Sequence, residues 1–252
     1  MFEVDLNWAT LALLLFIALV AGYIDTLVGG GGLITVPALM AAGVPPIYAL
    51  GTNKLQAVAG SGTATFTMFS RSKVNFHQVK WLMLMAFVGS FAGAVAVHFF
   101  DASILDFLIP VVIVFIALYF LFAPDLSADS RPAKLSKKTY GASAVPIIGA
   151  YDGMLGPGTG SFFVWSGVSL RGHGIVDSTM IAKSLNFSTN IAALIVFVAY
   201  GNVLWIIGLL MMVGQAIGAR LGSKSLMTID PSFLRYLVIA VCFVMLIVWF
   251  VR

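Results

Sequence analysis

The sequence predicts an all-α polytopic membrane protein made of two inverted-topology repeats. Each repeat is a Gly-interrupted helix and half-helix pair followed by three further membrane helices. Three observations lead there. First, 60% of the 252 residues are hydrophobic and only 10% are charged, with a mean hydropathy of +1.03, whereas a soluble domain carries about 25% charged residues. Second, Gly29-Gly30-Gly31-Gly32 interrupts one apolar stretch and Gly156-Pro-Gly-Thr-Gly160 interrupts another at a matching place. Third, the basic loops of the two halves do not coincide.

The elements follow in order. Trp8 to Val28 is apolar and ends at the first glycines; Leu33 to Ala42 is apolar but half a span long, since a span takes about 20 residues at 1.5 Å each. Gly43-Val-Pro-Pro46 breaks the chain, and Ile47 to Ser70 is long and mildly polar. Arg71 to Lys80 is a basic loop; Trp81 to Phe99 and Ile104 to Phe122 are ordinary spans. The second half repeats this plan: Tyr140 to Leu155, glycines, the half-span Ser161 to Leu170, the break Arg171-Gly-His-Gly174, the long polar Val176 to Tyr200, then Val203 to Ala219 and Phe233 to Val251. Gly89 lies in an ordinary span and carries no special expectation.

The halves match residue for residue at nearly constant offsets: Asp25 with Asp152, Lys54 with Lys183, Val74 and Phe76 with Val203 and Trp205, Val88-Gly89 with Val213-Gly214. Residues 1–123 form the first repeat, 124–139 a basic linker and 140–252 the second repeat. Basic residues mark the cytoplasmic side. Arg71, Lys73 and Lys80 follow the long polar helix of the first half, but the matching place in the second is the uncharged Gly201-Asn202. Arg220, Lys224 and Arg235 join the last two spans, where the first half holds His98, Asp101 and Asp106. The swap predicts copies lying upside down to each other, with the linker inside and both termini outside.

Two lysines lie deep in the long helices, Lys54 and Lys183. An ammonium at mid-membrane costs roughly 2.5 kcal/mol or more to insert and marks a candidate site. Two roles stay open: contact with a bound anion, or ion pairs of Lys54 with Asp25 and Lys183 with Asp152. Asp25 and Asp152 are correspondingly proton-coupling or ion-pair candidates. Lys54 is expected to matter more, because its Gly-Thr-Asn-Lys context offers fewer alternative partners. Gly29, Gly30, Gly31 and Gly32, with Gly156, Gly158 and Gly160, let an oxyanion approach the backbone at the start of a half-helix, where free N–H groups and the helix dipole favour negative charge. Thr159 and Ser161 add hydroxyls. Asn53, Gln56, Asn186 and Asn190 line the same two long helices as the lysines. The competing account of the glycines is close helix packing through small residues.

Other chemistries have little support. The basic residues sit in short loops, so the net charge of +4 does not point to nucleic acid. No histidine spacing suits a metal, no phosphate-loop motif accompanies the glycines, and Ser161 with His173 lacks the frame of a serine hydrolase. No cofactor and no enzyme activity are expected. Cys242 is the single cysteine and allows no internal disulfide.

The runs Asp25-x-x-x-Gly-Gly-Gly-Gly-Leu-Ile-Thr-Val-Pro37, Ala49-Leu-Gly-Thr-Asn-Lys54 and Tyr151-Asp-Gly-Met-Leu-Gly-Pro-Gly-Thr-Gly-Ser-Phe162 resemble the TauE/SafE family of sulfite-exporter-like permeases of bacterial inner membranes. The resemblance covers essentially the whole chain. It implies a multi-pass inner-membrane transporter whose substrates are small anions, sulfite and organosulfonates such as sulfoacetate. The expectation is a secondary transporter binding its anion near the bilayer midplane between the glycine breaks. The alternatives are an anion channel with the same site and a non-transporting membrane scaffold.

Overall fold

A computed structural model describes residues 7–70, 76–122 and 130–225, together with Ala240 and Phe243. The basic loop residues Arg71 and Lys73 and nearly all of the expected last span lie outside the described residues. The described residues form ten helices and no strand: α1 (Trp8–Val28), α2 (Gly32–Ala41), α3 (Pro46–Phe69), α4 (Phe76–Val97), α5 (Ala102–Phe122), α6 (Lys137–Ala142), α7 (Ala144–Met154), α8 (Thr159–Arg171), α9 (Ile175–Ala199) and α10 (Trp205–Ser225).

Local chemistry sets the boundaries. Asn7 caps α1, accepting from the Thr10 amide at 2.8 Å. The helix stops at Gly29, whose φ of 83° is left-handed, a conformation glycine adopts without a β-carbon penalty. Pro46 opens α3 at a position where its missing N–H costs nothing. One expectation is corrected: Tyr140 to Leu155 is not a single helix. It divides at Ser143, where φ −122° and ψ −78° separate α6 from α7.

Burial is inverted relative to a water-soluble protein. Large apolar residues such as Phe16, Leu84, Val88, Ile206, Leu209 and Val213 are exposed, whereas Lys54, Gln56, Lys183 and Asp152 are buried. Helices α1, α4, α9 and α10 are long and apolar enough to cross a membrane. An apolar exterior, with charged and amide side chains gathered inside an otherwise apolar bundle, suits a protein dissolved in lipid.

The halves interlock. Helix α1 packs along α10 with Leu15 against Gly214, Leu19 against Gly218 and Tyr23 against Gly222, so the two run parallel. Helix α4 packs along α7 in the same manner, with Ala86 against Gly149 and Ser90 against Gly153. Helices α3 and α9 cross at the centre: Gly51 meets Phe197 and Gly62 meets Phe187, so these two run antiparallel. Small residues let the backbones touch, which is how helices associate where no hydrophobic effect drives them together. Gly89 belongs to this system: a β-carbon there would strike the Pro146 carbonyl, so it is a packing residue and not the neutral position its sequence context suggested. The described end of the linker is tied down, because the amides of Arg131, Lys134 and Leu135 donate to carbonyls of Gly172 and Leu170 at the end of α8.

Gly93→Val and Gly218→Val should therefore each destabilise the protein by about 1–3 kcal/mol or more, because the added carbons meet backbone of α7 and α1. Thermal melting in detergent reads this out against Leu84→Val on the exposed face of α4 as control. Wild-type melting of both glycine variants would contradict the packing account.

Candidate functional site

Each glycine break is preceded, one turn earlier, by a carboxylate. Asp25 lies in the last turn of α1 and Asp152 in the last turn of α7. Left-handed glycines follow both, Gly29 at φ 83° and Gly156 at φ 96°. The half-helices α2 and α8 begin just after these breaks. The Gly31 amide donates to Asp25 Oδ1 at 3.0 Å, so the first carboxylate helps close its own break.

The lysines pair across the halves. Lys54 Nζ on α3 lies 2.8 Å from Asp152 Oδ1, and Lys183 Nζ on α9 lies 3.0 Å from Asp25 Oδ2. Each ammonium also donates to the backbone carbonyl of its aspartate. This corrects the pairing expected from the sequence, which joined Lys54 to Asp25 and Lys183 to Asp152 within each half. The cause is the interlocked packing, which brings each long helix to the break of the opposite copy. Gly156 makes room for it: a β-carbon there would lie 2.7 Å from Lys54 Nζ. All four groups are buried. Removing one partner of such a pair costs about 3–5 kcal/mol, since a buried charge is left alone.

The two carboxylates differ. Asp152 Oδ2 accepts from Asn186 Nδ2 at 3.1 Å and from the Thr189 hydroxyl, in addition to the Lys54 bond on Oδ1. Among the described residues, Asp25 has only the Gly31 amide and Lys183 on its carboxylate. The Asp25 side chain is 13% exposed and that of Asp152 is 2%.

A polar cavity of about 20 Å³ opens between the breaks, roughly the space of one water molecule. The first half contributes Asp25, Gly29, Gly32, Asn53 and Ala57 to its wall; the second contributes Asp152, Gly156, Gly160, Asn186, Asn190 and Gln215. Gly32 and Gly160 lie in the first turns of α2 and α8, where N–H groups have no partner within their own helix. Asn53 is held by the Thr35 hydroxyl at 2.6 Å and by Gln56 Nε2 at 3.1 Å, both on its Oδ1. Asn190 is held by the Asn186 carbonyl at 2.7 Å.

Other residues proposed from the sequence sit behind this wall. Lys54 and Lys183 are screened from the cavity by their carboxylates. Gln56 supports Asn53 from behind. The hydroxyls of Thr159 and Ser161 donate to the carbonyls of Gly156 and Val28, so they stitch the breaks together instead of offering donors to a ligand. Gly29 and Gly160 meet face to face, and a β-carbon on Gly160 would lie 2.5 Å from the Gly29 Cα. Gly158 is left-handed at φ 75° beside Ile116, and Gly31 abuts Asp25. Gly30 shapes the turn, its carbonyl accepting from the Leu33 amide. Gln215 escaped the sequence reading, although a polar residue midway along an apolar helix is the same signal that marked the lysines.

The chain is similar to known membrane transporter proteins. The family model for the sulfite exporter TauE/SafE matches residues 14–248. A probable membrane transporter protein, ORF9, of Sinorhizobium sp is 40% identical over 237 residues, covering 94% of this chain and 91% of the relative. A probable membrane transporter protein of Haemophilus influenzae is 39% identical over 241 residues, covering 96% and 94%. The probable membrane transporter protein YfcA of Escherichia coli K12 is 40% identical over 235 residues, covering 93% and 87%. No solved structure matches the chain.

The crossed pairing makes a direct prediction. Lys54→Gln and Asp152→Asn should each destabilise the protein by about 3–5 kcal/mol, and the double variant should lose clearly less than the sum. Lys54→Gln with Asp25→Asn should lose at least the sum, because it orphans Asp152 and Lys183 together. Melting measurements on this cycle decide it, and recovery in the second double variant would contradict the crossed pairing.

Proposed function

The chain belongs to the sulfite exporter TauE/SafE family, and we propose that it is a secondary transporter of small anions of the sulfite and organosulfonate class, sulfoacetate among them. It acts in the bacterial inner membrane as a multi-pass protein, its halves inverted and both termini outside. The observation that carries this is the polar cavity between two helix breaks, walled by both halves and buried in an otherwise apolar bundle. Discontinuous helices meeting at the centre are a recurrent construction for transporter binding sites. The names of the relatives, probable membrane transporter proteins, support the transport part of this reading.

Inverted repeats are supported by the antiparallel crossing of α3 with its copy α9, which a two-fold axis lying in the membrane plane would produce. An anion would meet first-turn N–H groups of α2 and α8 and the amide of Asn53, with the two ammonium groups one layer behind. At about 20 Å³ the cavity is too small for a four-atom oxyanion. Binding then requires the halves to part, which favours a carrier that rocks between two openings over a standing channel. The face-to-face contact of Gly29 with Gly160 gives the packing account of the glycines a share in the same residues.

Purified protein in liposomes should take up labelled sulfite or sulfoacetate saturably and show counterflow exchange. Asn53→Ala should weaken affinity about fivefold to tenfold through one lost hydrogen bond. Flux without counterflow would instead assign a channel, and absence of any flux with these anions would overturn the substrate class. On a Cys242→Ala background, cysteines at Asp101 and Ser130 should label from opposite sides of the membrane. Labelling from one side would overturn the inverted arrangement.

A further inference from the structure

Gln215 stands out among the cavity residues. It is 3% exposed, lines the cavity, and its Oε1 has no hydrogen-bond partner among the described residues. A buried acceptor left unpaired is costly and calls for an explanation. The repeat supplies one. Gln215 follows Val213-Gly214 as Ser90 follows Val88-Gly89. In the first half the Ser90 hydroxyl is spent on the Thr189 carbonyl at 2.7 Å, and Thr189 in turn donates its hydroxyl to Asp152. In the second half the longer Gln215 runs over Gly60, where a β-carbon would lie 2.5 Å from its Cγ. Gly60 stands, at the offset that relates Lys54 to Lys183, where Thr189 stands in the other copy. So the carboxylate of the first half lacks the hydroxyl that its counterpart has, and Gln215, which carries the unpaired acceptor, shares the cavity wall with it.

We propose that Asp25 is a reversible proton-binding site of the cavity and that Gln215 accepts the hydrogen bond of its protonated carboxyl, directly or through one water. The proposal rests on the transport reading for its purpose. A proton adds to the Asp25 carboxylate to give the neutral acid, and Lys183 keeps its ammonium charge. The pair then carries one uncompensated positive charge, which a monoanion neutralises. Proton and anion would therefore occupy the site together with no net buried charge. This assigns the working pair to Lys183 and Asp25, in place of the Lys54 favoured by sequence context. Asp152, held by Lys54, Asn186 and Thr189, remains a static carboxylate.

The titratable and charged groups facing Asp25 among the described residues are few. Lys183 comes from α9, and Asp152 from α7 lies across the cavity with Lys54 from α3 bound to it. Helices α2, α8 and α10 bring only Gly32, Gly160 and Gln215 to the cavity wall.

Infrared difference spectra of the purified protein, recorded between mildly alkaline and mildly acidic buffer at high chloride, which supplies the compensating monoanion, test this directly. The wild type should show a protonated-carboxyl band. The band should be absent from Asp25→Asn combined with Lys183→Gln, and present in Asp152→Asn combined with Lys54→Gln; both doubles keep the cavity neutral. Gln215→Met leaves both ion pairs intact and should shift the band. No band in the wild type, a band surviving in the Asp25 double, or an unshifted band in Gln215→Met would overturn the proposal. So would stabilisation by sodium ions with no carboxyl band, which would make the site a metal-cation site. Failure of anion uptake in liposomes overturns the transport reading and leaves the band in place, so the two failures are distinguishable.

Discussion

Two buried ion pairs that cross between the halves are the constraint on which the rest of the structure depends. Each of the four ions would cost several kcal/mol to hold in a bilayer alone. None can be relieved by water from the apolar exterior. Lys54 must therefore find Asp152 and Lys183 must find Asp25, and both requirements are met only when the two copies interlock. The centre of the bundle follows from this. The aspartates sit at helix ends, so the breaks are drawn to mid-bundle, and the cavity is what remains between them.

The small residues make the interlocking possible. Gly214, Gly218 and Gly222 admit α1 against α10, and Gly89, Gly93, Gly149 and Gly153 bring α4 onto α7. At the breaks the glycines have several tasks at once. Gly29 and Gly156 take left-handed turns, Gly156 also clears space for an ammonium, and Gly160 lets two backbones touch. Packing and ligand access are thus not competing explanations for the same glycines. Inheritance from a duplication would make the site symmetric, and it is not. Thr189 against Gly60 and Gln215 against Ser90 leave one carboxylate fully bonded and the other partly open.

Much of this was legible in the sequence, for physical reasons. Charged residues within apolar runs are expensive, so Asp25, Lys54, Asp152 and Lys183 had to matter. Glycine clusters stop helices, so the boundary at Val28 followed, while the second half-helix, expected from Ser161, begins two residues earlier at Thr159. The correspondence between the halves is readable because rare polar residues recur in order. The partners of the lysines were not readable, because pairing within a half and pairing across halves satisfy the same charges. Nor did the sequence reveal that Thr159 and Ser161 turn their hydroxyls onto the backbone, since a hydroxyl near a break can serve a ligand or a carbonyl. The divide at Ser143 has no glycine or proline at that position to announce it. Gln215 was legible and was passed over, because it breaks the match between the copies that drew attention elsewhere.

The most direct test of the crossed ion pairs is to cut the chain in the linker, co-express the two halves with one tagged, and measure how much of the other copurifies. Lys54→Asp in the first half should sharply reduce recovery of the second. Asp152→Lys in the second half should restore it, because the pair is rebuilt with its charges exchanged. Asp25→Lys, which would rebuild a pair only within the first half, should not. Restoration by Asp25→Lys, or copurification indifferent to all three changes, would contradict the account.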